Sequence, residues 1–278
     1  MTTPLVSIIT PSLNQGRFLL ETLQSVAAQD YPNIEYIVMD GGSTDNSVDI
    51  LRAWSQSHPV HWESNPDKGQ ADAIQRGVER AHGDLVAWLN SDDVYLEPSV
   101  VSTAVSEFRN GSPVVTGGGW YLSEDGSRLH RIPVYPTRLN HETIRRVDWV
   151  LQPATFIRRD LFLKCPLDVE LTYAFDWDLF IRLSALARFT AVEGDWAGYR
   201  QHGAGKTISG GARRRQELLE VTRRYHGNSR RYALMKGFDL TLRAADALPP
   251  KLGYGAYFLA DRVARLSHKL TDGRGIQT

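Results

Sequence analysis

The chain has 278 residues, 42% of them hydrophobic and 23% charged, ordinary globular usage that excludes disorder across its whole length. Its 32 Lys and Arg balance 32 Asp and Glu, so bulk charge gives no reason to expect nucleic acid as a partner, and a single cysteine, Cys165, excludes an internal disulfide or a cysteine-based zinc site. No basic-then-apolar leader opens the sequence and no apolar run reaches bilayer length, so a soluble cytoplasmic protein is the expectation.

In chain order, Val6-Ser7-Ile8-Ile9-Thr10 reads as a strand, and Leu19, Leu20, Leu23 and Val26 then recur at helical spacing between Gly16 and Ala28. Ile34 to Met39 is a second strand, followed by the loop Asp40-Gly41-Gly42-Ser43-Thr44-Asp45 and a helix carrying Val48, Ile50, Leu51 and Trp54. Val60-His61-Trp62 is a short third strand. Asp67-Lys68-Gly69-Gln70 opens the next helix, with Ile74, Val78 and Ala81 on one face and Gly83 as its expected C-cap. Leu85 to Leu89 follows as a buried strand, which ends in Asn90-Ser91-Asp92-Asp93. This alternation predicts an α/β domain with a mostly parallel, Rossmann-like central sheet flanked by helices.

The loops of such a sheet gather at one edge. Asp40, Asp67, Lys68, Asn90, Asp92 and Asp93 each follow the carboxyl end of a strand, where open α/β sheets bind ligands. Adjacent carboxylates repel unless a positive group sits between them, so Asp92 and Asp93 suggest a site for a hard cation, with a solvated acidic turn or helix cap as the alternative. There is no Gly-x-Gly-x-x-Gly after the first strand and no phosphate loop, which argues against dinucleotide dehydrogenases and the common NTPases. Gly117-Gly118-Gly119 lies inside a strand-like segment and reads as a bulge or a close backbone approach.

In the second half, Glu124-Asp125-Gly126 signals a hairpin turn and Gln152 to Ile157 reads as a strand. Trp177, Phe180 and Ile181 mark a helix face whose first turn holds Asp176 and Asp178, either as dipole-favoured acids or as a general base. A strand-like run from Phe189 leads to Tyr199-Arg200-Gln201-His202, where His202 is either a loop residue or a metal ligand, and then to a Gly-rich stretch that could serve as a mobile lid. After Arg200 basic residues outnumber acidic ones, in the clusters Arg213-Arg214-Arg215, Arg223-Arg224 and Arg230-Arg231. The segment from Leu252 to Leu270 reads as a basic amphipathic helix, packed on its own domain or lying on an anionic membrane surface.

The ordered set Val6 to Asn14, Asp40 to Asp45, Asp67-Lys68-Gly69-Gln70, Asn90 to Asp93 and Asp176-Trp177-Asp178 resembles the family 2 glycosyltransferases over roughly residues 5 to 205. The resemblance implies a GT-A fold over residues 1–208, with a nucleotide-binding half (1–110) and an acceptor-binding half (111–208), and it leaves 209–278 as a basic helical extension. It implies an inverting transfer from a nucleotide-sugar donor to a hydroxyl of a glycan or lipid-linked acceptor in cell-surface polysaccharide or glycolipid synthesis, with Mg²⁺ or Mn²⁺. Carried over by residue, Thr10, Pro11, Ser12, Asn14, Asp40, Gly42, Ser43, Asp67, Lys68, Gln70, Asn90, Ser91 and Asp92 would bind the nucleotide-sugar. Asp93 would be the main metal ligand, with Asp92 and His202 supporting it. Asn90 stands where the family has the first carboxylate of its Asp-x-Asp motif. Asp176 would be the base ahead of Asp178, with Trp177 and Gln152 at the acceptor. A sugar nucleotidyltransferase and a non-catalytic glycan-binding scaffold are the alternatives.

Overall fold

The computed structural model describes residues 3–203, 205, 210–227, 229, 232–237, 239 and 240. Within Met1–Ser209, the first of two compact units, the chain runs β1 (Val6–Ser12), α1 (Gly16–Ala27), β2 (Ile34–Asp40), α2 (Ser47–Trp54), β3 (His61–Ser64), α3 (Gln70–Arg80) and β4 (Leu85–Trp88). These are the expected β-α steps, and β3, β2, β1 and β4 lie side by side and parallel. The order reverses at β1, which has β2 on one side and β4 on the other, so a crevice opens beyond their carboxyl ends.

Alternating side chains settle which helix covers which face. Ile8 joins Leu19, Leu23 and Leu51 of α1 and α2 in one core cluster, whereas Ile9 lies under Gly77 of α3 on the other side. Leu85, Val86, Ala87 and Trp88 are all at most 1% exposed, as a strand covered on both faces requires, and each large side chain there contributes about 1.5–3 kcal/mol. The expected helix stripes hold apart from Leu20, which is 43% exposed. Ala81 in extended conformation, rather than Gly83, ends α3, and the Gly83 N–H donates to Ser7 Oγ at 2.8 Å.

The second half extends the same sheet with mixed pairing. It comprises β5 (Val94–Tyr95), α4 (Val100–Arg109), β6 (Val114–Leu122), β7 (Arg128–Ile132), a short helix α5 (His141–Ile144), β8 (Thr155–Arg158), α6 (Arg159–Lys164), α7 (Phe175–Leu186) and β9 (Phe189–Arg200). Gln152–Ala154, expected as the start of a strand, is instead a 3-10 turn that leads into β8, because Pro153 has no N–H to give a ladder. β8 pairs antiparallel with β4, which is therefore parallel on one side only. The Gly117 to Gly119 segment is the close approach that its composition suggests: a Cβ on Gly119 would lie 2.0 Å from the Ala197 carbonyl oxygen, and the β6–β9 register shifts there. β5 begins immediately after Asp93 and pairs with β9, so the loop that leaves β4 is fastened directly after Asp93 to the strand that ends in Arg200.

In the unit Gly210–Thr278, α8 (Gly211–His226) carries the expected arginines. Arg213 and Arg224 face Glu217 and Glu220 one turn away, and Arg215 Nε donates to Asp239 at 3.1 Å. Arg230 and Arg231, the helix expected over 252–270 and most of the expected Gly-rich lid lie outside the described residues. Among the described residues no helix is long and apolar enough to cross a membrane.

The sheet edge opposite the crevice is tied by Glu35, whose carboxylate accepts from Ser7 Oγ and from the His82 backbone N–H (2.8 Å) and faces His82 Nδ1 at 2.8 Å. Burial works against the charge, but these partners outweigh it and hold the carboxyl below its ordinary range. A depressed folded-state pKa gives stability that is present above the unfolded value and is lost as pH falls through the folded one. Glu35→Gln is therefore expected to lower the melting temperature most at neutral pH. Melts from pH 7 to pH 3 should show the gap from the parent closing on acidification, and a gap constant with pH would contradict the assignment.

Candidate active site

Three loops and one strand end meet at the crevice. The first is braced by Asp40 at the end of β2. Its Oδ2 accepts from the backbone N–H groups of Gly42 (3.1 Å) and Ser43 (2.9 Å) and from Ser64 Oγ (2.6 Å), and its Oδ1 accepts from Ser43 Oγ (2.5 Å). A carboxylate so supplied with donors shapes the Gly42–Ser43 turn. Asn14, with φ 53°, crosses to the same loop: its N–H donates to Ser43 Oγ (2.7 Å) and its Oδ1 accepts from the Thr44 N–H (2.8 Å). Thr10 is fully buried with its hydroxyl against Tyr36 (3.0 Å), so it is a core residue rather than a nucleotide neighbour, and Pro11 is buried as well. Ser12, beside Asp40 in register, is 4% exposed, and its Oγ has no hydrogen-bond partner among the described residues.

The second loop reaches the first through an absent side chain. A Cβ on Gly41 would lie 2.8 Å from Asp67 Oδ2, so glycine makes room for that carboxylate. Asp67 Oδ1 in turn accepts from the Gly69 N–H (2.8 Å), and Gly69 takes φ 121°, a conformation that glycine adopts readily, to start α3. Lys68 is exposed on this turn.

The third loop is built around Asp93, 1% exposed. Its Oδ1 accepts from the Arg200 backbone N–H (2.9 Å) and its Oδ2 from Asn90 Nδ2 (3.0 Å), while its carbonyl accepts from Thr22 Oγ1 (2.8 Å). Burial, and then the neighbouring Asp92 charge, push its carboxyl well above the usual range. The expectation that Asp93 leads metal binding is corrected here: both of its oxygens face inward and are taken by the chain. Asn90 joins the pieces, accepting from Gln70 Nε2 (2.6 Å) and also donating to Gln152 Oε1 (3.3 Å), while Gln152 Nε2 donates to the Trp88 carbonyl (2.6 Å). Gln152, 8% exposed, is thus a brace beneath Asn90 rather than an acceptor contact, and Ser91 is buried at 3%.

Asp92 has the opposite setting. Its side chain is 20% exposed, and Oδ2 lies 2.9 Å from His202 Nε2, which brings together two residues 110 positions apart. Sequence reasoning missed the residue that positions them, Arg200. At 3% exposure its guanidinium donates to the carbonyls of Asp92 (2.9 Å) and Glu124 (3.0 Å) and to Glu21 (2.5 Å), with Cζ 4.9 Å from the centre of the Phe18 ring. The His202 ring packs on Phe18 as well, centroids 4.8 Å apart. The alternation of a strand ending at Arg200, which puts it on the same side as His202, was the available signal.

On α7, Trp177 is 4% exposed and its indole N–H donates to the Ile144 carbonyl (2.7 Å), so it belongs to the core and cannot stack on a sugar. Asp178 is 1% exposed and accepts from Arg182 Nε (2.9 Å). Asp176 is only half-buried, with Oδ1 accepting from the Trp177 N–H (2.8 Å), and its helix is seated by Phe180 stacked 6.1 Å from Trp88 at the end of β4.

Residues 7–163 match the profile of Glycosyl transferase family 2. The chain belongs to this family. The uncharacterized glycosyltransferase Rv1514c of Mycobacterium tuberculosis is 32% identical over 84% of this chain and 91% of its own. Chondroitin synthase of Escherichia coli is 26% identical over 68% of this chain and 28% of its own. Among solved structures, the mannosyltransferase PcManGT of Pyrobaculum calidifontis, in complex with GDP-Man and Mn²⁺, aligns over 98% of this chain and 81% of its own with a TM-score of 0.63 at 16% identity, which shows the GT-A fold. The chain is accordingly a glycosyltransferase with that fold.

The contrast between the adjacent carboxylates is testable. Asp93→Ala leaves the Arg200 N–H and Asn90 amide buried without an acceptor and is expected to cost about 1–3 kcal/mol for each stranded donor in urea unfolding. Asp92→Ala, at the solvent edge, should cost less than half as much; the reverse order would overturn the assignment of Asp93 as the internal brace.

Proposed function

We propose that this glycosyltransferase moves a sugar from a nucleotide-sugar donor to a hydroxyl of a glycan or lipid-linked acceptor, with inversion and with a divalent cation, in the assembly of surface polysaccharide or glycolipid. The observation that carries the reading is the Asp92–His202 pair at the carboxyl end of β4, within reach of solvent and beside the loops that Asp40 and Asp67 shape. The family assignment favours transfer over the nucleotidyltransferase and scaffold alternatives.

The donor set suits Mg²⁺ or Mn²⁺. Among the described residues no three His, Cys, Asp or Glu side chains form a self-sufficient cluster. One carboxylate and one imidazole leave the remaining positions to phosphate oxygens and water, as for a cation shared with substrate. A cation held by Asp92 and His202 would supply positive charge to a departing diphosphate. Arg200 holds the Asp92 backbone and Phe18 supports the His202 ring, contacts that the chain makes by itself. The unpartnered Ser12 hydroxyl, the turn at Gly42 and Ser43, and the adjoining Asp67–Lys68 turn support this edge of the sheet as the nucleotide's side.

For inversion, the acceptor oxygen bonds to the anomeric carbon while the bond to the β-phosphate oxygen breaks with its electron pair, and the acceptor's proton passes to a carboxylate on the opposite face of the sugar. Asp176 fits that role better than Asp178, whose carboxylate is buried against Arg182. The arginines of α8 support contact with an anionic membrane surface, where a lipid-linked acceptor would reside.

In thermal shift, UDP or GDP with Mn²⁺ at about 100 times Kd should raise the parent's melting temperature by roughly 5–10 °C. Asp92→Ala and His202→Ala should lose the metal-dependent part of that rise, and stabilisation equal to the parent's in both variants would refute the proposed cation site. Asp176→Asn should keep the rise while transfer falls by about 10²–10⁴-fold. If Asp178→Asn lost transfer while Asp176→Asn kept it, the base would be reassigned.

A further inference from the structure

One cluster in the second half of the sheet domain lies outside the donor and cation sites. Arg138 lies over two aromatic rings at once, its Cζ 3.9 Å from the centre of Trp149 and 4.6 Å from that of Tyr135, and the two rings meet edge to face at 5.9 Å. Tyr135 is 40% exposed and the other two are half-buried. Among the described residues no carboxylate pairs with the Arg138 guanidinium, and neither the Trp149 indole N–H nor the Tyr135 hydroxyl has a hydrogen-bond partner. By contrast Arg131, Arg145, Arg146 and Arg158, neighbours in sequence, each pair with an acid. The backbone under the cluster is fixed: the Arg138 N–H donates to the Tyr135 carbonyl (2.9 Å), and the Thr143 hydroxyl donates to the Arg138 carbonyl.

Its place in the fold is also constrained. Trp149 is three residues from Gln152, whose side chain touches Asn90 and the end of β4. At no more than about 3.6 Å per residue the two Cα atoms are within about 11 Å, roughly the length of two sugar rings from the floor of the crevice. An exposed aromatic ring such as Tyr135 suits the apolar face of a pyranose, and a guanidinium held over the rings retains a rigid fork of N–H donors that matches a carboxylate or phosphate.

We infer that Tyr135, Arg138 and Trp149 form an acceptor platform selective for a glycan carrying an anionic substituent next to the sugar that stacks on the rings. The cluster's role as an acceptor subsite rests on the glycosyl-transfer reading given above; its preference for anionic sugars does not.

The full chain, with UDP or GDP and Mn²⁺ present, is titrated by calorimetry with three disaccharide probes that differ in one end: glucuronic acid, glycerol phosphate or neutral glucose. At least one acidic probe should bind about tenfold or more tighter than the neutral one, the strength of a charge-assisted bidentate contact. The ratio between the two acidic probes tells carboxylate from phosphate. Arg138→Gln should erase the preference while leaving neutral-probe binding, circular dichroism and the nucleotide-induced melting shift as in the parent, and Arg138→Lys should restore it only in part. A parent without acid preference, or an Arg138→Gln variant that keeps it, overturns the inference. A parent that shows Arg138-dependent preference but no nucleotide-induced shift would uphold the anionic platform and overturn the donor-site reading instead.

Discussion

The site depends on one buried carboxylate that fastens the middle of the sheet domain's chain to the end of its last strand. Asp93 closes the loop between β4 and β5 with its carboxylate oxygens directed inward, one to the backbone N–H of Arg200 at the end of β9 and one to Asn90. A buried carboxylate is costly unless it is well supplied with donors, so this group has few alternative positions and the strands it joins have few alternative registers. Because β5 follows Asp93 at once and pairs with β9, the electrostatic tie and the ladder enforce the same arrangement. His202 lies two residues past Arg200, and its meeting with Asp92 is a consequence of that tie.

Two adjacent carboxylates thereby receive opposite tasks. Burial and the neighbouring Asp92 charge make ionisation of Asp93 costly, and the fold gives the two carboxylates different surroundings. Asp93 has two donors in the interior and the nearby Arg200 cation, whereas Asp92 has an imidazole at the solvent edge. The neighbour that stays inside carries structure, which frees the one outside for a ligand. The same division appears on α7, where Asp178 is held by Arg182 and Asp176 is left half-exposed at the first turn.

Much of this was legible in the sequence. The β-α steps from Val6 to Leu89 follow from periodicities of two and 3.6, and the ordered motifs identified the family and hence the fold. What could not be read was which member of each polar motif faces inward. Asp40, Asp93, Gln152 and Thr10 look like ligand groups in a string of letters, yet each meets a partner that is distant in sequence: Ser64, Arg200, Trp88 and Tyr36. Burial of Trp177 followed from its helix face, but its indole bond to Ile144 did not. Proline explains the other miss, since Pro153 broke a strand reading that its β-branched and aromatic neighbours favoured.

The distribution of satisfied and unsatisfied polar groups is the strongest structural guide to where chemistry takes place. Asp40 accepts four hydrogen bonds and Asn90 is used at both ends of its amide, so neither needs a ligand to be stable. Ser12, by contrast, has a buried hydroxyl with no partner among the described residues, a cost of about 1–3 kcal/mol that folding alone does not recover. It lies beside Asp40 at the carboxyl end of β1, where the sheet's strand order reverses. A fold that satisfies Asp40, Asn90 and Asp93 internally, yet leaves the Ser12 hydroxyl without a partner and sets the Asp92–His202 pair near solvent beyond the same strand ends, is already arranged for a polar guest that brings its own oxygens.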